Sequence, residues 1–471
     1  MATAHPSHAT PSTWPAKALV ALLAWGALSF GAVYPWAYWP LAAGCVALGG
    51  WAILTTEPWR DPRTTALSFA LGAVALAMAL QLVPMPAKLV SLLSPGLSAF
   101  FERYQLAYQP ASFQSLSIVP GLTWTALGLF VSLAILLIGL TRALRLVRLD
   151  WLMHALMALG VTLALIGIVQ KTLVDDVPPL VYGFWEPVEG GNVFGPFINR
   201  NHFAGWMVML LPIAIGYSCG IVAALRRPER GGWKNWLHWG SSVEANRFIL
   251  AAGAILVMGA SLLLTQSRSG MLGFGTGVAV VALFAFVRST KTHVRTVALL
   301  YCAGLMLGAF LWAGAGSTVD RIAQAPAAVS GRLNAWRDTL TIIRDFPVAG
   351  TGVGTFARAM LVYQSGRRDL MYAQAHNDYL QLASEGGLLV GVPAFIVMVL
   401  LVRNIRRRLA SPDDDAATSW VRIGAIAGLA GIGMQSLMEF SLQMPGNTVL
   451  FVFIAALAMH RPRRSSRAHR I

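Results

Sequence analysis

The residues best suited to chemistry are concentrated between Gly331 and Gly387, the one long polar stretch set between hydrophobic runs. It reads GRLNAWRDTLTIIRDFPVAGTGVGTF, continues through the basic pair Arg367 and Arg368, and closes on AHNDYLQLASEGG. Arg332, Trp336, Leu340 and Ile343 fall at helical spacing, so the first part is expected as an amphipathic helix. Arg332 opens it, and Pro347 with the turn at Gly350, Gly352 and Gly354 stops it. A second helix is expected from about His376, with Tyr379, Leu380, Ala383 and Gly387 continuing one face. A histidine at such a helix start can turn its ring toward a solvent-facing cavity, which suits a catalytic base. Arg332 suits a diphosphate, because a planar guanidinium donates two hydrogen bonds to phosphate oxygens and keeps its charge. Arg337 follows on a different face of the same helix.

Arg268 lies in TQSRSG, where one hydrophobic run ends and the next begins with scarcely any loop. A charge held at the membrane edge is costly and is read as functional, against the plainer reading of an arginine that snorkels to anchor a helix end. Arg200 and Asn201 lie in FGPFINRNHFAG, a Gly/Pro/Asn-rich approach to another run. There, amides can line a polar pocket, or Asn199 or Asn201 can simply cap the helix; the two readings weigh equally. His202 is expected to pack. Glu439, in QSLMEFSLQMPG, can pair with an arginine or orient His376. The candidate catalytic set is therefore His376, Arg268 and Arg332, and the candidate substrate-binding set is Arg200, Asn201, Arg337, Asn377 and Glu439. The adjacent Asp175 and Asp176 make no DxD motif and Asp413 to Asp415 fall on the opposite side, so neither a metal nor a cofactor is expected. The glycines of GTGVGTF lack a βαβ setting and are read as a turn.

The elements that must position these groups are membrane helices. A 471-residue chain with 56% hydrophobic and 12% charged residues and a mean hydropathy of +0.61 is excluded from the soluble globular class, whose charged share is about a quarter. Apolar runs of spanning length, roughly 17–25 residues, occur near 17–33, 38–55, 64–83, 121–140, 150–171, 201–225, 248–266, 270–288, 295–315, 386–402, 420–440 and 444–460. The fold expected is all-α and polytopic, with about twelve transmembrane helices and one long extracytoplasmic loop that itself contains helices. The opening MATAHPSHATPSTWPAK has one lysine and no cleavage site after a short apolar core, so the first run is expected to be retained. Cys45, Cys219 and Cys302 lie in apolar runs without metal-ligand spacing and are expected to pack.

The formal net charge of +16 is spent on topology. Arginines and lysines cluster in alternate loops: Arg60 and Arg63; Arg142, Arg145 and Arg148; Arg226, Arg227, Arg230, Lys234 and Arg247; Arg288, Lys291 and Arg295; Arg403 and Arg406 to Arg408. With Lys17, Arg422 and the tail, that side holds about two thirds of the 36 basic residues and is cytoplasmic by the positive-inside rule. The basic loop RNIRRRLASPDDD and the tail HRPRRSSRAHR serve as topology signals that contact anionic membrane lipids, with no nucleic acid as partner. The chain divides into a membrane region at 1–315 with nine helices, an extracytoplasmic catalytic loop at 316–385, three more spans at 386–460 and a cytoplasmic tail at 461–471. Both termini are then cytoplasmic. The proline-rich loop 84–120 is extracytoplasmic and is expected to hold a surface helix at 88–104.

The order SRSG, then GRLNAWRDTLTIIRDFPVAGTGVGTF, then AHNDYLQLASEGG resembles the O-antigen ligase and polymerase superfamily over roughly residues 190–440. The resemblance implies a fold similar to C-type glycosyltransferases. It also implies a polyprenyl (undecaprenyl) diphosphate-linked glycan as donor, transfer to an acceptor hydroxyl with inversion, and no metal. The arginine at a helix edge, the arginine opening the loop and the essential histidine near its end fall on Arg268, Arg332 and His376. Such proteins are enzymes of the bacterial inner membrane with a periplasmic site, acting in lipopolysaccharide or exopolysaccharide biosynthesis. Ligases acting on lipid A core, polymerases extending exopolysaccharide or O-antigen repeats, and protein O-oligosaccharyltransferases share these motifs; ligase is the first expectation. A small-solute or anion transporter is the rival from another class. It calls for polar groups at mid-membrane, where Gln170, Gln266 and Gln435 are the nearest candidates.

Overall fold

The computed structural model describes residues 13–56, 62–104, 113–173, 180–187, 192–224, 241–288, 318–366, 371–410 and 415–461, with short helical pieces between 292 and 304. In chain order the helices are α1 (Trp14–Leu28), α2 (Pro35–Thr55), α3 (Pro62–Leu80), α4 (Ala87–Leu93), α5 (Pro95–Tyr104), α6 (Pro120–Ala143), α7 (Leu149–Leu173) and α8 (Arg200–Ala224). They continue as α9 (Val243–Leu264), α10 (Arg268–Arg288), α11 (Thr318–Asp345), α12 (Phe356–Tyr363), α13 (Asp378–Leu409), α14 (Ala416–Gln435) and α15 (Pro445–Ala458). Among the described residues, 8 helices are long and apolar enough to cross a membrane, and α1, α3 and α15 are shorter apolar helices. The protein is an all-α polytopic membrane protein. The expected run at 295–315 lies largely outside the described residues, as do Arg60, Asp175, Asp176, the arginines of 225–240, Lys291, Cys302, Arg367, Arg368, Asp413, Asp414 and the tail from 462.

The bundle is built around α8, which is apolar on every face and buried almost throughout from His202 to Ala223. A helix without a polar stripe has to be sheathed by other helices. Its closest partner is α14, where small residues let the two backbones touch. A Cβ added at Gly424 or Gly428 would lie 2.5 Å from the carbonyl oxygen of Pro212 or Met209. The two helices run antiparallel, since Gly205 faces Gln435 and Ser441 while Gly220 faces Ala417.

This pairing defines two ends. One gathers the start of α8, the α9–α10 turn, the start of α13 and the α14–α15 connection; α11 and α12 pack there too. The other gathers the end of α6, the start of α9, the end of α13 and the end of α15, and carries Arg142, Arg145, Arg247, Arg403, Arg406 and Arg422. At the first end a separate small core joins Val90, Leu97, Leu116 and Ile118 to Ala335, Ile342, Phe346, Phe356, Met360 and Ala375, so residues 85–104 and 113–118 form a platform for α11 and α12.

Several boundaries differ from expectation for local reasons. The segment 88–104 is two helices, because Pro95 begins α5 and holds Ser94 extended (φ −146°). The pair Met85–Pro86 and Phe113–Gln114 forms a short antiparallel ladder beside it. Helix α11 starts well before Arg332, so that arginine sits within the helix and not at its opening. Helix α13 starts at Asp378 with Asn377 as N-cap, leaving His376 outside it. It is broken at Gly387 (φ 54°), where the amides of Leu388 and Leu389 turn to the carbonyls of Pro347 and Val348. No side chain fits there: a Cβ on Gly387 would lie 2.5 Å from the Val348 oxygen. The glycine-rich segment is a turn folded onto buried Glu385, whose carboxylate accepts the Phe356 amide at 2.9 Å. Gln81 ties this turn down through Ala349 O (2.7 Å), Glu385 O (3.0 Å) and Val353 N (3.1 Å).

Candidate active site

Glu439 is the centre of the first end. Helix α14 stops at Gln435, short of the expected 440, and Glu439 lies in the irregular stretch before Pro445 opens α15. Its side chain is 0% exposed. Oε1 accepts from Arg332 Nη2 and from Asn201 Nδ2 (2.8 Å), and Oε2 lies 3.4 Å from His376 Nδ1. A buried carboxylate requires such compensation, because desolvation of an unpaired charge costs several kcal/mol. The Arg332 and His376 side chains keep 35% and 32% exposure, so both reach the surface above the carboxylate.

Each member is held by backbone contacts that fix its position. Asn199 caps α8 by accepting the Asn201 amide (2.9 Å), which leaves the Asn201 side chain for Glu439. The two sequence readings of that motif are thus divided between two asparagines. Gln435 Nε2 donates to Asn201 O (2.9 Å), and Asn447 Nδ2 donates to His202 O (2.9 Å). Gln435, weighed above as a mid-membrane group, ends α14 beside the site; Gln170 near the end of α7 and Gln266 in the α9–α10 turn lie at the same end of the bundle.

His376 takes a left-handed backbone conformation (φ 50°), uncommon for a residue with a Cβ. The residue before it is pinned from both sides: Ala375 O accepts Trp336 Nε1 (3.0 Å), and Ala375 N donates to Gln381 Oε1 (3.1 Å). After it, Asn377 Oδ1 caps α13 through the amides of Tyr379 and Leu380 (3.0 Å each), and Asn377 Nδ2 donates to Leu437 O (3.0 Å). Asp378 clamps the stretch that carries Glu439, accepting from Ser436 Oγ (2.8 Å) and Gln443 Nε2 (3.2 Å). Phe440 stands between two imidazoles, edge-on to His376 at 4.9 Å and to His202 at 4.7 Å. His202 is buried, and its Nε2 has no hydrogen-bond partner among the described residues.

The structure therefore joins His376, Arg332, Asn201 and Glu439 directly, with Asn377 as the cap beside them. Arg268 is the exposed first residue of α10, next to the start of α8: a Cβ on Gly270 would lie 2.6 Å from Ala204 Cβ. Arg200 is the half-exposed first residue of α8, adjacent to Asn201. Both belong to the same end of the bundle. Arg337 lies on the exposed face of α11, away from the side that Arg332 presents to Glu439. Phe440, Asp378, Ser436 and Gln443 were not among the sequence candidates, and Gln435 was weighed only as a mid-membrane group; the fold brings them here. Helix α12 is fastened to α11 by Ser365 Oγ on Asp338 (2.6 Å) and Tyr363 Oη on Asp345 (2.6 Å). Burial first, and then that hydrogen bond, push the Tyr363 phenol above its ordinary pKa. Among the described residues, no group of three His, Cys, Asp or Glu side chains is placed to hold a metal ion.

Chemically, the arrangement offers an imidazole whose Nδ1 faces an acceptor-only carboxylate, leaving Nε2 to take a proton. Beside it, Arg332 donates to the same carboxylate from a side chain that keeps 35% exposure. Residues 253–395 match the family model for O-antigen ligase, which supports kinship of this region with the O-antigen ligase superfamily. The match contains Arg268, Arg332, Arg337, His376 and Asn377; Asn201 and Glu439 converge on the site from outside it. No curated protein matches the chain.

Proposed function

We propose that the protein transfers a glycan from a polyprenyl diphosphate to an acceptor hydroxyl on the periplasmic side of the inner membrane, most simply to lipid A core as an O-antigen ligase. An O-antigen ligase or polymerase type of glycosyltransferase follows from the family region; donor, acceptor and sidedness are our reading. The observation that carries it is the convergence of Arg332, His376 and Asn201 on buried Glu439 at the end of the bundle opposite the arginine-bearing loops.

In this mechanism Arg332 and Arg268 hold the donor diphosphate. The acceptor oxygen attacks the anomeric carbon from the far side, its proton passes to His376 Nε2, and the bond from that carbon to the phosphate oxygen breaks. The electron pair leaves with the polyprenyl diphosphate, and the anomeric centre inverts. Negative charge grows on the leaving diphosphate in the transition state, where paired guanidinium donors act most strongly. Arg200, the half-exposed first residue of α8 beside Asn201, is assigned to substrate contacts around this centre; Asn377 serves it as the cap of α13, and Arg337, on the far face of α11, is left as a contact for parts of the substrate outside it.

The test is the product formed by purified protein given a lipid-diphosphate glycan with EDTA present. Transfer to lipid A core alone supports the ligase reading. Joining of one glycan to a second glycan donor makes the protein a polymerase, and activity that EDTA abolishes and magnesium or manganese restores refutes the metal-free reading.

A further inference from the structure

The three contacts that compensate buried Glu439 are unequal. Asn201 is neutral, buried-side and itself held at both its amide and its carbonyl by Asn199 and Gln435. Arg332 is the carboxylate's charged partner, yet its side chain is 35% exposed. His376 Nδ1 stands at 3.4 Å, a long hydrogen bond with room to tighten. A diphosphate arriving from the surface competes for Arg332, and Glu439, with 0% exposure, cannot follow it outward. Once Arg332 turns to phosphate, the buried carboxylate has lost its cation, a strongly disfavoured state unless another positive charge takes its place. An imidazole that gains a proton at Nε2 supplies that charge through Nδ1.

We infer that Glu439 exchanges partners during the reaction: it releases Arg332 to the donor's diphosphate and takes the protonated His376 instead, so that donor occupancy strengthens the base. Before the donor binds, Arg332 satisfies Glu439 and His376 has little to gain from a proton. After it binds, proton transfer from the acceptor hydroxyl restores the balance of charge around Glu439. Phe440, edge-on to the His376 ring, and the left-handed backbone of His376 keep the ring beside Oε2 while this happens. Glu439 is then a positioning residue that acts through His376 and Arg332. The inference rests on the proposed transfer reaction and adds to it an order of events.

The experiment compares the purified wild type with Glu439→Gln, which keeps shape and the capacity to bond Asn201 but removes the charge. A short-chain polyprenyl diphosphate without glycan is the binding probe. Glu439→Gln is expected to bind the probe about threefold to tenfold more tightly, because Arg332 is no longer held back, while its turnover falls about 10²-fold or more. Weaker or unchanged probe binding, or turnover at the wild-type level, overturns the exchange. Glu439→Asp keeps the charge and is expected to bind like the wild type and retain measurable turnover; tightening equal to that of the Gln variant counts against the inference. A role in folding alone would lower binding and turnover together, in step with the fraction of monodisperse protein. Wild type that binds the probe but transfers no glycan to any acceptor refutes the proposed function, whereas the binding comparison decides the exchange.

Discussion

Arg332 and Arg422 are both set into the helix bundle, at opposite ends, and they answer burial in opposite ways. Arg422 is 2% exposed and donates to the backbone carbonyl of His460, an acceptor that carries no charge and lies just past the end of α15. Arg142 does the same with Ile53 O at 3.0 Å. These arginines close helix ends. Arg332 is half-exposed and meets a fully buried carboxylate that also faces an imidazole. One end uses its cations to fasten backbone and, on the positive-inside reading, to set orientation; the other leaves a cation accessible above a fixed negative charge. Position relative to carboxylate and surface, and not residue type, separates an anchoring arginine from one available to a substrate.

The comparison breaks most visibly at His376. His376→Ala is expected to lower glycan transfer about 10²–10⁴-fold while leaving extraction and monodispersity unchanged, because the ring is a third exposed and supports little core. Full activity would make it a packing residue. The arginines come next. Arg332→Lys and Arg268→Lys are each expected to lose about 10²–10³-fold in turnover although charge is kept, since an ammonium cannot reproduce a two-pronged contact with phosphate oxygens. Arg422→Met is expected to do the reverse, lowering thermal stability by about 1–3 kcal/mol with turnover per folded molecule within about twofold of wild type. Turnover measured beside melting temperature separates the two patterns. If Arg332→Lys melts early and Arg422→Met turns over slowly, the assignment of the ends is inverted.

Much of the bundle was legible in the sequence because a membrane span announces itself by length and apolar content, and those needs are local. The same is true of the polar stretch that holds Arg332 and His376. The non-local contacts were legible only in part: Glu439 was read as a partner for an arginine or for His376, but neither which arginine nor the role of Asn201 could be named. Glu439 meets Arg332 across 107 positions and Asn201 across 238, and no spacing rule connects them. The helical pattern that seemed to begin at His376 runs only from Asp378, since the left-handed turn at His376 depends on Trp336 holding Ala375 from another helix. Gln435 looked like a mid-membrane polar group because its apolar run continues in sequence, although its helix ends there. In each case the tertiary contact, not the local pattern, sets the outcome.

The claim that joins these observations is that the chemistry and the positively charged loops lie on opposite faces of the membrane, and accessibility measures it directly. Met371, 56% exposed beside the site, and Ala416, exposed at the start of α14, mark the two ends. In a chain whose own cysteines are replaced by alanine, single cysteines at these positions are treated with a membrane-impermeant maleimide on intact inner-membrane spheroplasts. The account predicts labelling at 371 and none at 416 until the membrane is opened. Labelling at 416 with protection at 371 would put His376, Arg332 and Glu439 on the cytoplasmic face and contradict it.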